Sequence, residues 1–209
     1  MKASLGVAAS ILCALAAVSA AAADEVEHPI CTLLLHEERI ELERWELSVD
    51  VAEARLAAAE SIFVMADALW KDELIERIRY LRFEHERDVA VIDVKRRALS
   101  LKRQEALTEE LAIYCSSPGD NVRREEAHRR YLQADCHRIG KDLAIAEVDL
   151  TYLEEVLVSI RDLRENDVAT REQVIRAEED VDVARRRVEH HTPLFKVCSD
   201  SGAAASAGD

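Results

Sequence analysis

Two apolar stripes with a seven-residue repeat flank a short polar break at residues 165–167. The stripes mirror each other: apolar residues before and after the break pair so that their numbers add to 334, beginning with Ile160 and Val174. Facing residues of antiparallel helices obey this rule, and heptad spacing is typical of helices that pack side by side. The pattern predicts a helical hairpin that turns at Asn166 and Asp167, with Asp167 also capping the following helix. The remaining pairs are Leu157–Ala177, Leu153–Val181, Leu150–Ala184 and Ala146–Val188.

A second mirror, with numbers that add to 146, predicts another hairpin in the first half of the chain with its turn near residue 73. The predicted seam of its first helix contains Leu33, Ile40, Leu47, Ala54, Met65 and Ala68. These residues are expected to face Ile113, Ala106, Leu99, Ile92, Leu81 and Ile78, in that order. The charged residues Glu37 and Arg44 interrupt this seam, so its register is rougher than the first.

The predicted fold is all-α, with four helices over about 31–70, 72–114, 121–164 and 169–190. Only 5 glycines and 3 prolines occur, and 33% of the residues are charged, a composition typical of long helices. The segment 115–121 is the clearest loop, and Asp120 or Asn121 can cap the third helix. We expect hairpins at 24–116 and 117–198, arranged as a four-helix bundle or as a rod, and a disordered tail at 199–209.

The first 23 residues have the features of a secretory signal peptide. Lys2 is followed by an alanine-rich apolar run from Leu5 to Val18 and by small residues up to Ala23. Cleavage after this segment would deliver the protein to the periplasm or the exterior. The rest of the sequence contains no apolar run that is long enough to span a bilayer.

The net charge of −14 argues against nucleic-acid binding, which requires concentrated lysine and arginine. Two basic segments, 95–103 and 123–138, alternate with acidic and apolar residues at helical spacing. We therefore interpret both segments as solvated helix faces.

Four cysteines remain after the signal segment, and an even number in an exported chain favours disulfides. The mirror registers place Cys31 opposite Cys115 and Cys136 opposite Cys198. In a bundle that brings the cysteine-bearing helix ends together, Cys115–Cys136 and Cys31–Cys198 are also reachable, so both pairings stay open.

Histidines near these cysteines define an alternative, a zinc or copper(I) site formed by Cys136, His137, His191 and Cys198. Neither a C-x-x-C nor an H-x-x-x-H spacing occurs, and no catalytic motif is recognisable. We therefore expect a protein that is not an enzyme and that needs no cofactor.

Residues 143–190 resemble the α-helical hairpin of periplasmic adaptor (membrane-fusion) proteins and the coiled-coil helices of TolC-like outer-membrane efflux proteins. Leu163 before the turn and Thr170 after it keep the spacing of that hairpin, whereas Ser159 stands where an arginine is usual and Arg161 is nearby. The resemblance implies a hairpin tip that docks onto another envelope protein. The residues expected at partner-binding tips are Trp70, Arg161, Leu163, Asn166, Asp167 and Thr170.

The sequence thus favours a non-enzymatic periplasmic coiled-coil protein that binds envelope partners through helical packing, as an accessory or scaffold of an efflux or export assembly. A homo-oligomer is compatible with the seams. The alternatives are a metal-handling or redox protein that uses the Cys/His cluster, and a holdase-type chaperone.

Overall fold

A computed structural model describes residues 29–201, which form four long helices. These are α1 (Pro29–Lys71), α2 (Arg77–Ser116), α3 (Asn121–Glu165) and α4 (Arg171–Asp200). No strand occurs in this part of the chain, so the predicted all-α class is confirmed. The predicted signal segment and the end of the tail lie outside the described residues.

The helices follow one another in space in the same order as in the chain. Within residues 29–201, α1 contacts α2, α2 contacts α3, and α3 contacts α4, whereas α1 and α4 do not touch. The arrangement is therefore an open row, in which α2 and α3 are covered on two sides and α1 and α4 are edge helices. The buried apolar set is small and rich in alanine.

The predicted seam between α3 and α4 forms the main buried apolar cluster. Leu157, Ala177 and Val181 are buried, and partly buried neighbours pack against them. Those neighbours are Leu150, Leu153, Ile160 and Val174, all of which belong to the predicted stripes. Heptad spacing was sufficient to identify these buried residues because each of the two helices has one dominant apolar face.

The predicted seam of α1 is wrong, because α1 is rotated relative to the expectation. Leu33, Leu47 and Met65 are all more than half exposed, whereas Ala52 and Ala66 are buried. The buried face includes Cys31, and residues two apart on an α-helix point about 200° from each other. Cys31 and Leu33 therefore cannot both face α2, and the disulfide of Cys31 turns Leu33 outward.

Both short turns end the preceding helix with the same backbone motif. Glu73 and Asp167 adopt left-handed φ angles of 56° and 59°. The N–H of the next residue, Leu74 or Val168, then donates to the carbonyl of Leu69 or Leu163, at 2.8 Å in both cases. This six-to-one bond defines a Schellman motif, which satisfies carbonyls that the helix end leaves without partners.

The second turn corrects the predicted cap of α4. Thr170, and not Asp167, is the N-cap, since its side chain accepts from the N–H of Gln173 while Gln173 accepts from the N–H of Thr170. This reciprocal pair is a capping box. At the start of α3, Asp120 accepts from the N–H of Arg123, so one of the two predicted caps is confirmed.

Helix α4 is longer than predicted. It continues beyond His190 and through Pro193 to Asp200, so residues 199 and 200 of the predicted disordered tail are helical. The added turns carry Phe195 onto Gly140 of α3, where a Cβ added to the glycine would lie 2.8 Å from the ring. They also carry Cys198 to Cys136. The helix therefore extends as far as its contacts with α3 and does not end at the proline.

We expect Glu73→Gly to raise the free energy of unfolding by about 0.5–1 kcal/mol, because glycine adopts the left-handed conformation without the Cβ penalty. Thermal unfolding followed by circular dichroism measures the change. Asp72→Gly is the matched control, since Asp72 is not left-handed and the same substitution there should destabilise. Equal losses in both variants would contradict the motif.

Candidate functional site

Two of the three connections lie at the same end of the molecule. His85 near the start of α2 contacts Asp149 of α3 at 2.8 Å, and Arg96 contacts Asp142 further along. The start of α2 is therefore beside the end of α3. This brings together the turn between α1 and α2 and the turn between α3 and α4. We call residues 69–76 and 163–170 together the tip end.

The first turn of the tip end is held by aromatic contacts. The Trp70 ring stacks on Tyr80 with the centroids 5.4 Å apart, and Phe63 approaches Tyr80 at 5.8 Å. The guanidinium of Arg87 lies over the Phe63 ring, 3.9 Å from its centroid. Trp70 therefore packs against its own chain and stabilises the turn, and Leu74 is the more exposed apolar residue there.

The predicted residues of the second turn mostly stabilise the turn itself. Asn166 donates a side-chain hydrogen bond to the carbonyl of Asp162 at 2.8 Å, and Arg161 pairs with Glu178 of α4 at 2.7 Å. Thr170 forms the capping box. Their side chains are thus committed to local contacts, while Asp167 is almost fully exposed.

Two apolar residues that the sequence patterns did not single out project from the tip end. Leu74 is 68% exposed and Val168 is 69% exposed. Both occupy the second position after their helix in the Schellman motif, where an apolar residue is frequent. That motif is the sequence signal that could have identified them, since each follows a Leu by five residues.

The disulfides form the pairing that the mirror registers predict. Cys31 is bonded to Cys115, with the Cα atoms 5.7 Å apart, and Cys136 is bonded to Cys198, with the Cα atoms 5.5 Å apart. Each bridge joins an edge helix to the central helix beside it. The competing pairing is not formed, and Cys136 is fully buried.

The alternative metal site has no free sulfur ligand in this structure. The sulfurs of Cys136 and Cys198 are joined to each other, so neither is available as a thiolate. Within residues 29–201, no group of three or more His, Cys, Asp or Glu side chains is arranged to hold a metal ion. The nearby rings of His190 and His191 contact each other edge to face.

The interface between α2 and α3 contains a series of ion pairs, which apolar patterning did not reveal. Arg96 contacts Asp142 at 3.3 Å, and Arg130 contacts Glu109 at 2.7 Å. Arg103 contacts Asp135 at 3.3 Å and donates to the hydroxyl of Tyr131 at 3.0 Å. We call these residues, with Asp93, Arg97 and Arg138, the ion-pair row.

The basic segments that we interpreted as solvated faces therefore supply the arginines of this interface. Their sequence signal is a third mirror: oppositely charged residues pair so that their numbers add to about 238, with its centre at Gly119. Apolar periodicity cannot detect such an interface, because its partners are charged.

The ion-pair row lowers the pKa of two carboxyl groups. Burial alone would raise the pKa of Asp93, but hydrogen bonds from Arg97 and Arg96 outweigh it and hold the pKa below its usual value of 3.8. A hydrogen bond from Arg130 lowers the pKa of Glu109 below 4.5. Both carboxyl groups therefore keep their negative charge to a lower pH in the folded protein than in the unfolded chain.

Acid is expected to destabilise the fold in the range below about pH 4. A carboxyl group whose pKa is lower in the folded state stabilises the fold above its unfolded pKa. That contribution is lost as the pH falls through the folded pKa. Melting temperatures at pH 7, 4 and 3 measure the effect. Glu109→Gln should reduce the acid dependence, whereas Glu125→Gln on the exposed face of α3 should leave it unchanged.

Grooves on this molecule are shallow and open to solvent. One of them has a volume of about 450 Å³ and lies between α2 and α3, near the tip end. In it, the His85 ring stacks on Tyr152 at 4.4 Å and contacts Asp149. In the described residues, no helix has a stretch that is both long and apolar enough to cross a membrane.

No protein-family model, curated protein or solved structure matches this chain. Its function must therefore be argued from the surfaces described above.

Proposed function

We propose that this protein is a non-enzymatic binding protein of the cell envelope that docks other proteins through its tip end. The observation that carries the proposal is the pair of exposed apolar residues, Leu74 and Val168, which occupy equivalent positions in two hydrogen-bonded turns at the same end of the molecule. An apolar residue on a preorganised turn binds with little loss of conformational freedom. The surrounding charged residues then supply a polar rim.

Two further features support a place in the envelope. The disulfides Cys31–Cys115 and Cys136–Cys198 fit an oxidising compartment such as the periplasm or the exterior. The apolar, alanine-rich start of the sequence fits a signal peptide that directs the chain there. We propose that the two helix pairs α1–α2 and α3–α4 are antiparallel hairpins, and that their shared tip docks an efflux or export assembly, as the resemblance to adaptor hairpins implies.

The test is photo-crosslinking in living cells, with a photoreactive amino acid in place of Val168. The matched control is Val122, which is 75% exposed at the opposite end of α3. We expect an adduct with an envelope protein from position 168 and none from position 122. Adducts of equal yield from both positions, or none from either, would rule out docking through the tip end.

A further inference from the structure

The outer face of α1 has an apolar stripe that no part of residues 29–201 covers. Seven large apolar side chains lie within about 40° of the line opposite Cys31, at 100° per residue. They are 38–65% exposed and are three, four or seven residues apart, except for one step of eleven from Val51 to Ile62. These residues, which we call the α1 stripe, are Leu33, Ile40, Leu47, Val51, Ile62, Met65 and Leu69.

The α1 stripe is large for the surface of a monomer. Together the seven side chains expose on the order of 700 Å², whereas the largest apolar patch of a typical monomer is about 300–600 Å². Two such stripes facing each other would bury roughly 1,400 Å², which is within the range of stable, specific interfaces. A surface of this length and spacing fits another long helix with an apolar heptad stripe.

We propose that the α1 stripe binds the α1 stripe of a second copy of this chain, in an antiparallel arrangement with residue 49 at the two-fold axis. In this register, facing residues of the two copies have numbers that add to 98. The stripe of each copy then overlaps the other along nearly the whole of α1, because the middle of Pro29–Lys71 is residue 50.

Side-chain size favours this register. Three layers pair a larger residue of one copy with a smaller one of the other: Leu47 faces Val51, Ile40 faces Ala58, and Arg44 faces Ala54. Two layers instead pair large residues, since Leu33 faces Met65 and Ile62 faces His36. Glu37 faces Ser61. The long stems of Arg44 and Glu37 can cross a small neighbour and keep their charges in water. The two charged residues that interrupt the heptads are therefore accommodated.

Charge favours the same register. Glu41 of one copy lies diagonally beside Arg55 of the other at the edge of the stripe, in addition to its contact with Arg44 of its own helix, and two-fold symmetry repeats this pair. Flanking charges of this kind set the orientation and partner of paired helices. A parallel arrangement would instead place Glu37 against Glu37 and Arg44 against Arg44 within the stripe, so like charges would meet.

The first experiment measures the mass of the disulfide-bonded protein in solution by analytical ultracentrifugation. We expect a dimer, and we expect Leu47→Glu to raise the dimer dissociation constant at least 100-fold. Leu47 is 63% exposed, so helix content should not change. Met65→Glu is a second variant with the same expected result. Val183→Glu on α4, with 51% exposure, is the matched control and should leave the dimer intact.

The second experiment tests the register by charge reversal. Glu41→Arg and Arg55→Glu should each weaken the dimer by roughly 10-fold, because each creates two like-charged pairs. The double variant should restore the affinity of the unchanged protein. Equal or additive losses in the double variant would contradict the register.

The orientation is measured with spin labels attached at Asp50→Cys or at His36→Cys. In the proposed dimer, two labels at position 50 are near the axis, whereas two labels at position 36 are about 40 Å apart. Short distances at both positions would show a parallel dimer and overturn the proposal.

A monomer at all concentrations would overturn the proposal without affecting the proposed function. Crosslinking from Leu47 then identifies what covers the stripe instead, either another segment of the mature chain or a different protein. A dimer together with no adduct from Val168 would have the opposite meaning: the self-association would stand and docking through the tip end would fail.

Discussion

Replacing Cys136 and Cys198 with serine will lower the free energy of unfolding by about 4 kcal/mol, because the unfolded chain regains the freedom of a 62-residue loop. Complete burial of Cys136 adds to this loss, since serine would place a hydroxyl there. Urea unfolding followed by circular dichroism measures the change. Ser116→Ala, an exposed change next to Cys115, serves as the control.

A comparison of the two bridges separates the causes of this loss. Loop entropy alone predicts nearly equal losses for the two pairs, since the Cys31–Cys115 loop of 84 residues is only slightly longer. Burial predicts a larger loss for Cys136–Cys198. A loss of less than about 1 kcal/mol for either pair would show that the unfolded chain is not the state that the bridges constrain.

Asp93→Asn is expected to lower the free energy of unfolding by about 2 kcal/mol, because it leaves the partly buried Arg96 and Arg97 side by side without their shared carboxylate. Asparagine has nearly the same shape, so the change reports mainly on charge. Urea unfolding at pH 7 measures it.

Asp182→Asn is the matched control for Asp93→Asn. Asp182 pairs with Arg185 at 3.1 Å on the exposed surface of α4, where an ion pair contributes little. We expect no measurable loss there. If the two variants lost equal stability, the ion-pair row would be no more than a set of surface pairs.

The sequence was sufficient to predict α3 and α4 because each has a single apolar face. Leu157 and Val181 then have only one way to be buried, and the disulfide Cys136–Cys198 agrees with the same register. The exact ends of the helices were harder to predict from the sequence. The turn at Asp167 and the cap at Thr170 depend on backbone angles, and two polar residues close together can exchange these roles.

Helix α1 could not be oriented in the same way, because it has apolar residues on two opposite faces. Leu47 is the more apolar of the pair Leu47 and Ala52, but only Ala52 is buried. The more apolar of the two faces points outward, so an interpretation that buries the largest residues fails. Burial of the larger side chains would instead be completed by a second copy of α1.

The contact between α2 and α3 was invisible to apolar periodicity for a different reason. Residues such as Arg96 and Asp142 resemble surface residues, and they become an interface only when two helices bring opposite charges together. The same limitation applies to predicting which residues bind a partner at the tip end. Whether Trp70 binds a partner or covers its own turn depends on Tyr80, which lies on the next helix.

The open row of helices has a mechanical consequence. Each disulfide closes one helix pair upon itself, α1 with α2 and α3 with α4, and no covalent bond other than the backbone at residues 117–120 crosses between the pairs in the described part of the chain. A single protease cut in that segment would leave two oxidised halves held together only by noncovalent contacts, several of them ion pairs. Acid or concentrated salt would then weaken their association without any reductant. The described part of the chain thus consists of two covalently closed helix pairs that meet along an interface containing a series of ion pairs.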